Sequence, residues 1–349
     1  MGGEQAVRAA FAQQGAYCTA LAAPFTALLC NLLGARLDRR TRIGRRVLDW
    51  PGNPAPIGDA LALRLCGGLH FLVRSGAAPD LALLYPPAPL PDADALWQAL
   101  LPVLEREALA PWLDNAPQTN EVGRSAVLMS GLLVIAARFG LKLRLYELGA
   151  SAGLNLQLDR YAYDLGGRVA GDLVSPLLLK PAWTGPPPPQ GDMRITGRAG
   201  TDLHPVALPE NRERLIAYVW PEQAQRLAQL EAAIALATSN PPLLDKADAA
   251  DWIETMLDRA PEQGVARVVM HSVAFHYFPE STQRRIAAHI EAAGSAARVD
   301  APLAWLRFEE QPGDGQFSLR LRTWPGDDRL LAWTHPHGKA VTWLDGERG

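Results

Sequence analysis

The stretch Glu147-Leu148-Gly149-Ala150-Ser151-Ala152-Gly153 carries two kinds of chemistry at once. Gly149-Ala-Ser151-Ala-Gly153 is a G-x-S-x-G, the sharp turn that exposes a nucleophilic serine in hydrolases. With Glu147 in front, the same residues read as an acid followed by a Gly-rich loop, the turn by which an α/β sheet meets a nucleotide-type cofactor. The two readings need different surroundings. A nucleophile elbow tops a mid-sheet strand and borrows an oxyanion donor from an earlier strand. A cofactor loop follows a first strand, and further polar groups stand at the ends of later strands.

The elements ahead of the loop therefore matter most. Residues 1–117 read as an all-helical domain. Apolar residues recur at helical spacing over 25–33, over 59–72 with Asp59 as the expected cap, and over 93–109. No charge occurs between Arg8 and Arg36, yet Gln13, Gln14, Pro24 and Asn31 interrupt that run. It predicts a buried helix pair bent at Pro24 rather than a membrane span. Asn120 is placed to cap a helix running to Phe139 and stopping at Gly140. The first strand is then 141–148, and no strand precedes it. A hydrolase elbow would lack its sheet and its second oxyanion donor, so Ser151 as a nucleophile is the minor alternative.

Beyond the loop, strands alternate with helices. A helix can start over 154–161, and 162–191 is a Pro- and Gly-rich insertion containing Pro186-Pro-Pro-Pro189. Strands are expected at 193–197, 242–244, 265–270 and 302–308, and helices at 211–237, 249–260 and 281–293. A final pair, 317–323 and 330–334, forms a hairpin around Pro325-Gly-Asp-Asp. Such alternation means a parallel α/β sheet with a terminal antiparallel hairpin, here over 118–349.

In open parallel sheets, ligands bind beyond the carboxyl ends of the strands. Polar groups gather at those ends. The first strand ends in Glu147 and the Gly loop, the second in Asp202, the third leads into Asp248, and the fourth ends in His271-Ser272. Asp202 suits ribose hydroxyls, and Asp248 suits an adenine amino group. His271, Ser272 and His276 are the catalytic candidates, because an imidazole can take a proton near neutral pH. Arg124 could meet a ligand carboxylate with two parallel bonds.

This constellation resembles the class I S-adenosylmethionine-dependent methyltransferases over roughly residues 120–349. In those proteins the first loop carries an acid and then glycines, and the next two strands end in acids for ribose and adenine. More narrowly, Gln118-Thr-Asn-Glu-Val-Gly-Arg124, the run from Glu147 through Asn155 to Leu156, and His271-Ser272 are similar to an uncharacterised bacterial family known as a domain of unknown function. The resemblance implies a Rossmann-like methyltransferase-type sheet. It also implies S-adenosylmethionine as cofactor, held by Arg124, Glu147, Gly149, Ser151, Gly153, Asn155, Asp202 and Asp248. The loop departs from the pattern at Ser151, where the middle glycine is usual, and the stretch from Glu147 to Asp202 is longer than one helix needs. By the same analogy the helical domain covers the site.

Composition narrows the partners. The chain has 349 residues, a net charge of −3, 48% apolar and 20% charged residues. Without a basic stripe, nucleic acid is not the expected partner. Cys18, Cys30 and Cys66 show no C-x-x-C spacing, which argues for a reducing, cytoplasmic setting and against a metal site. The expected function is methyl transfer to a small molecule, away from membranes. The alternative is a binding or regulatory protein that keeps the fold without catalysis. The sequence sets neither the methyl acceptor nor the oligomeric state.

Overall fold

The computed structural model describes residues 3–311, 313 and 315–344. The chain forms two compact units. One holds the chain up to Thr119 together with Glu210–Ala228, and the other holds Asn120–Pro209 and the chain from Gln229 onward.

The first unit is helical. It contains α1 (Glu4–Ala20), α2 (Pro24–Arg36), α3 (Arg42–Leu48), α4 (Leu61–Arg74), α5 (Pro79–Ala82), α6 (Ala93–Leu100) and α7 (Ala110–Asp114). The uncharged run folds as the pair α1 and α2, with Pro24 in the first turn of the second helix, where its missing N–H costs nothing. Phe11, Phe25, Leu29 and Leu33 from this pair are buried in the core. Among the described residues, no helix is long and apolar enough to cross a membrane. Two expectations change here. Asp59 does not cap α4; its Oδ2 accepts the Trp50 indole N–H at 2.8 Å. The helix expected over 93–109 ends at Leu100, just before Pro102, and short 3-10 turns follow.

The second unit starts with α8 (Arg124–Phe139), which Gly140 terminates in the left-handed conformation at φ 64°. Strand β1 (Lys142–Leu148) follows. The Pro- and Gly-rich insertion, to which the sequence assigns no element, supplies strands: β2 (Ala162–Leu165) and β3 (Arg168–Gly171) pair as a hairpin. Gly166 and Gly167 have φ of 62° and 91°, the positive values a tight two-residue turn demands. Strand β4 (Leu178–Leu179) completes a three-stranded sheet, and β5 (Ala182–Thr184) joins the main sheet.

Then come β6 (Ile195–Asp202), α9 (Arg212–Ala217), α10 (Ala224–Ser239), β7 (Leu244–Lys246), α11 (Ala249–Leu257) and β8 (Val265–Ser272). The chain closes with α12 (Glu280–Ser295), β9 (Leu303–Glu310), β10 (Phe317–Trp324), β11 (Asp328–Thr334) and β12 (Ala340–Trp343). The single helix expected over 211–237 is two, separated by a segment containing Pro221. Segment α9 belongs to the helical unit.

The main sheet has nine strands in the order β5-β12-β11-β10-β9-β8-β1-β6-β7. From β7 to β9 all neighbours are parallel, and from β9 to β12 they alternate antiparallel. The antiparallel end is thus a four-strand meander rather than a lone hairpin. Counted along the chain, the parallel strands lie in the order 3-2-1-4-5, the doubly wound arrangement. Order reverses between β1 and β8, so the crevice where such sheets bind ligands lies between the loops that leave these two strands.

Candidate functional site

Strand β1 is central and buried on both faces from Leu145 to Leu148, as its apolar run requires. The loop that leaves it alternates left-handed residues: Gly149, Ser151 and Gly153 have φ of 68°, 53° and 70°. A Cβ on Gly149 would sit 2.7 Å from the Cβ of Ala274, and one on Gly153 would sit 2.7 Å from Pro242 Cγ. Both glycines therefore let protein neighbours approach closely. Ser151 holds its positive φ without a glycine's freedom, a strained conformation of the kind that gathers at functional loops.

Every amide from 150 to 154 donates within the chain. Ala150 N–H donates to the Thr201 carbonyl at 3.0 Å and Gly153 N–H to that of Ala150 at 2.7 Å. Ser151 N–H donates to Asp202 Oδ2 at 2.9 Å. Ala152 and Leu154 N–H both donate to Asn120 Oδ1, at 3.2 and 3.0 Å. Asn120 is thus an anchor for this loop and not the cap of α8. Asp202 also accepts from His204 N–H at 2.8 Å, so its carboxylate fastens the loop to the end of β6. Asp248 caps α11 by accepting from the amides of Ala250 and Asp251 at 2.9 and 3.2 Å. With its amides taken, the loop offers no cradle for a phosphate.

Beneath the loop lies a buried polar cluster. Ser125 Oγ donates to Asn155 Oδ1 at 2.7 Å, and Asn155 Nδ2 reaches Ser272 Oγ at 3.4 Å. Glu147 is 1% exposed, and its Oε2 has no hydrogen-bond partner. Burial, opposed by the bond to Asn155 and reinforced by the Asp202 charge, pushes its carboxyl up to about 8. Burial thus favours the protonated form of Glu147, which can donate as well as accept. Ser151 Oγ is also buried without a partner, so no base stands within reach to make it a nucleophile. Arg124 donates to the carbonyls of Ser272 and Pro336, both at 3.0 Å. It thereby ties α8 to the end of β8.

The second loop of the crevice leaves β8. Val273 has φ 51°, an outlier for a β-branched residue. The adjoining backbone is organised by Glu309, at the end of neighbouring β9. Its Oε1 accepts from His271 Nδ1 at 2.6 Å and from the amides of Ala274 and Phe275 at 3.0 and 3.2 Å. Its Oε2 meets His276 Nδ1 at 3.3 Å. Burial raises this carboxyl, but the bonds from the two histidines outweigh it and hold the group at about 2. The Trp305 indole donates to His271 Nε2 at 3.1 Å. His271 is thus 1% exposed with both ring nitrogens engaged, which leaves it no nitrogen for a substrate proton. His276 is the more open ring, 33% exposed; Glu309 holds its Nδ1, which makes Nε2 the lone-pair nitrogen. Sequence reasoning misses Glu309. The signal for it was the same one used for the other acids, a carboxylate at the carboxyl end of a parallel strand.

The structure therefore brings Glu147, Ser151, Asn155, Asp202 and Ser272 to the two loops at the switch point, and Asp248, next to the Ala247 whose N–H donates to the Asp202 carbonyl, caps α11. The chain belongs to the family described as "Uncharacterized protein conserved in bacteria (DUF2332)", whose match spans residues 8–343. No curated protein and no solved structure matches it.

Proposed function

We propose that the protein binds S-adenosylmethionine at the crevice between the β1 and β8 loops and transfers its methyl group to a small molecule in the cytoplasm. The observation that carries this reading is the chemistry left over at the β1 loop. Its amides are taken, which disfavours dinucleotides and other phosphate ligands. Two buried oxygens, Glu147 Oε2 and Ser151 Oγ, still lack partners. Unpaired buried polar atoms are costly, and a phosphate-free ligand bearing hydroxyl and amino groups would satisfy them. Glu147, Ser151 and the remaining lone pairs of Asp202 would hold such a ligand. When bound, the cofactor supplies an electrophilic methyl group on a sulfonium. His276, with Glu309 holding Nδ1, would accept at Nε2 the proton that the methyl acceptor gives up.

Calorimetry with S-adenosylmethionine, its demethylated product and NAD tests the reading. The first two should bind and NAD should not. At 100 times the dissociation constant, binding adds about 2.7 kcal/mol to stability, so melting should shift in parallel. No binding of either adenosyl ligand at millimolar concentration would sink it. The engagement of both His271 nitrogens favours a second reading, in which the protein binds the ligand without turning it over. Transfer of a labelled methyl group to a small-molecule fraction separates the two.

A further inference from the structure

On one face of the same strands the sheet carries a second opening. Arg144 and Tyr146 of β1, Gly197 and Ala199 of β6 and Arg267 of β8 border a cavity of about 430 Å³ that the end of α11 overhangs with Met256 and Arg259. This opening lies within the sheet unit and shares no residue with the loops at the switch point.

The charges around it are unevenly matched. Arg267 is 6% exposed. Its Nη1 donates to the carbonyls of Leu257 and Arg259 at 2.9 and 3.3 Å, which finishes the last turn of α11. Its Nε is buried with no partner. An orphaned guanidinium N–H costs more than a neutral one, because the whole charge is desolvated with it. Arg144 is paired with Glu262 at 2.7 Å, a surface pair in which both side chains are about a third or more exposed. Arg259 is exposed and makes no ion pair among the described residues. Four guanidinium groups thus line one opening: Arg198 is paired with Asp159 and Arg144 with Glu262, whereas Arg259 and Arg267 make no ion pair among the described residues. Gly197 is part of the design of the opening: a Cβ there would stand 3.2 Å from Arg144 Nε, so glycine leaves that arginine its place on the sheet.

The rest of the lining says what the anion is attached to. Tyr146, Ala199 and Met256 make an apolar floor. Asp245 stands at the edge, its Oδ2 accepting the Trp252 indole N–H at 2.6 Å, with lone pairs left for a ligand hydroxyl. The cavity is several times larger than a bare phosphate needs, since a single water occupies about 30 Å³ of liquid. Arginine is the residue whose planar fork matches a phosphate's oxygens with parallel bonds.

We infer that this opening, bordered by Arg144, Arg259 and Arg267 beneath the end of α11, binds the phosphate group of a hydroxylated phosphate monoester. The anion satisfies the orphaned Arg267 N–H, Arg259 closes over it, and the organic part lies along Tyr146 towards Asp245.

The test is calorimetry on the full chain at constant ionic strength in chloride, with ribose 5-phosphate, inorganic phosphate and ribose as probes. Ribose 5-phosphate is expected to bind most tightly, inorganic phosphate more weakly, and ribose undetectably. Arg259→Ala removes an exposed side chain that supports nothing else, so it should fold normally and weaken ribose 5-phosphate at least tenfold. Arg144→Ala should act in the same direction. Arg267→Lys is less suitable because Arg267 also ends α11. The proposal is overturned if ribose 5-phosphate fails to bind at millimolar concentration. It is equally overturned if Arg259→Ala and Arg144→Ala, shown folded by circular dichroism, bind it as the parent does.

Discussion

Ser151 carries two unfavourable features at once: a left-handed backbone at φ 53° and a buried hydroxyl without a partner. Replacing it with glycine removes the strain and the orphaned hydroxyl, and costs only glycine's extra freedom in the unfolded chain. The balance favours Ser151→Gly by about 1 kcal/mol of folding stability. If the hydroxyl is kept to meet a ligand, the same change should weaken adenosyl-ligand binding, so the two effects run in opposite directions. Urea unfolding and calorimetry on one sample measure both; a variant that is less stable and binds unchanged would contradict the argument. Glu147 makes a separate prediction. Its carboxyl titrates near 4.5 in an ordinary setting and is raised to about 8 in the fold, so between those values the folded chain holds a proton that the unfolded chain has lost. Its contribution to stability is complete below the lower value and disappears as pH rises through the upper one. Across about pH 5 to 8 the parent should therefore lose stability more steeply than Glu147→Gln, whose amide cannot ionise. Equal slopes in the urea midpoints would mean that Glu147 is ionised throughout.

The crevice is built by loops that hold each other through side chains. Asn120 accepts two amides of the β1 loop, Asp202 a third, and Glu309 two amides of the loop after β8. Asn120→Ala leaves the amides of Ala152 and Leu154 without their acceptor in a buried setting. At about 1–3 kcal/mol for each of the two orphaned donors, the variant should lose about 2–6 kcal/mol, measured by urea unfolding. A loss under a few tenths would show that the loop finds other acceptors. These anchors also mark where the sequence is legible and where it is not. The strands of the parallel half stand out because both faces are buried, which leaves unbroken apolar runs such as 265–270. The meander beyond β9 is read in part, from its Pro-Gly turn. The pairing of a polar residue is another matter: Asn120 sits where a cap is expected, and only the chain's return 32 residues later shows that it serves Ala152. Asp202 and Asp248 look alike as acids after strands, yet one fastens a loop and the other caps a helix, a difference made by which amides lie within reach. The strands of 162–184 are hidden by glycine and proline, which here form turns between very short strands.

The helical unit is discontinuous in the chain, and that has a consequence for where the molecule can be cut. Residues 210–228 leave the sheet unit's sequence to complete the helical one. Leu215, Ile216, Tyr218, Val219 and Trp220 are all buried. Tyr218 packs so closely on Gly67 that a Cβ there would meet its ring at 2.6 Å, and it lies edge-on to Trp112 at 5.6 Å. The Ala217 carbonyl meets His70 Nδ1 at 3.2 Å, and Glu222 accepts the Thr26 hydroxyl at 2.7 Å. Burial of five such side chains is worth on the order of 10 kcal/mol before entropy is subtracted. That is as large as the net stability of a whole domain, about 5–15 kcal/mol. Residues 1–119 alone should therefore not fold cooperatively, although their described residues contain seven α-helices and a buried cluster of their own. The fragment is expected to keep helical far-ultraviolet dichroism but lose near-ultraviolet signal and resistance to protease. Joining 210–228 behind residue 119 through a flexible Gly/Ser linker should restore a sharp urea transition. A sharp transition in the bare fragment would show that the first helices pack a sufficient core by themselves, and that the later segment is an addition to a domain already complete.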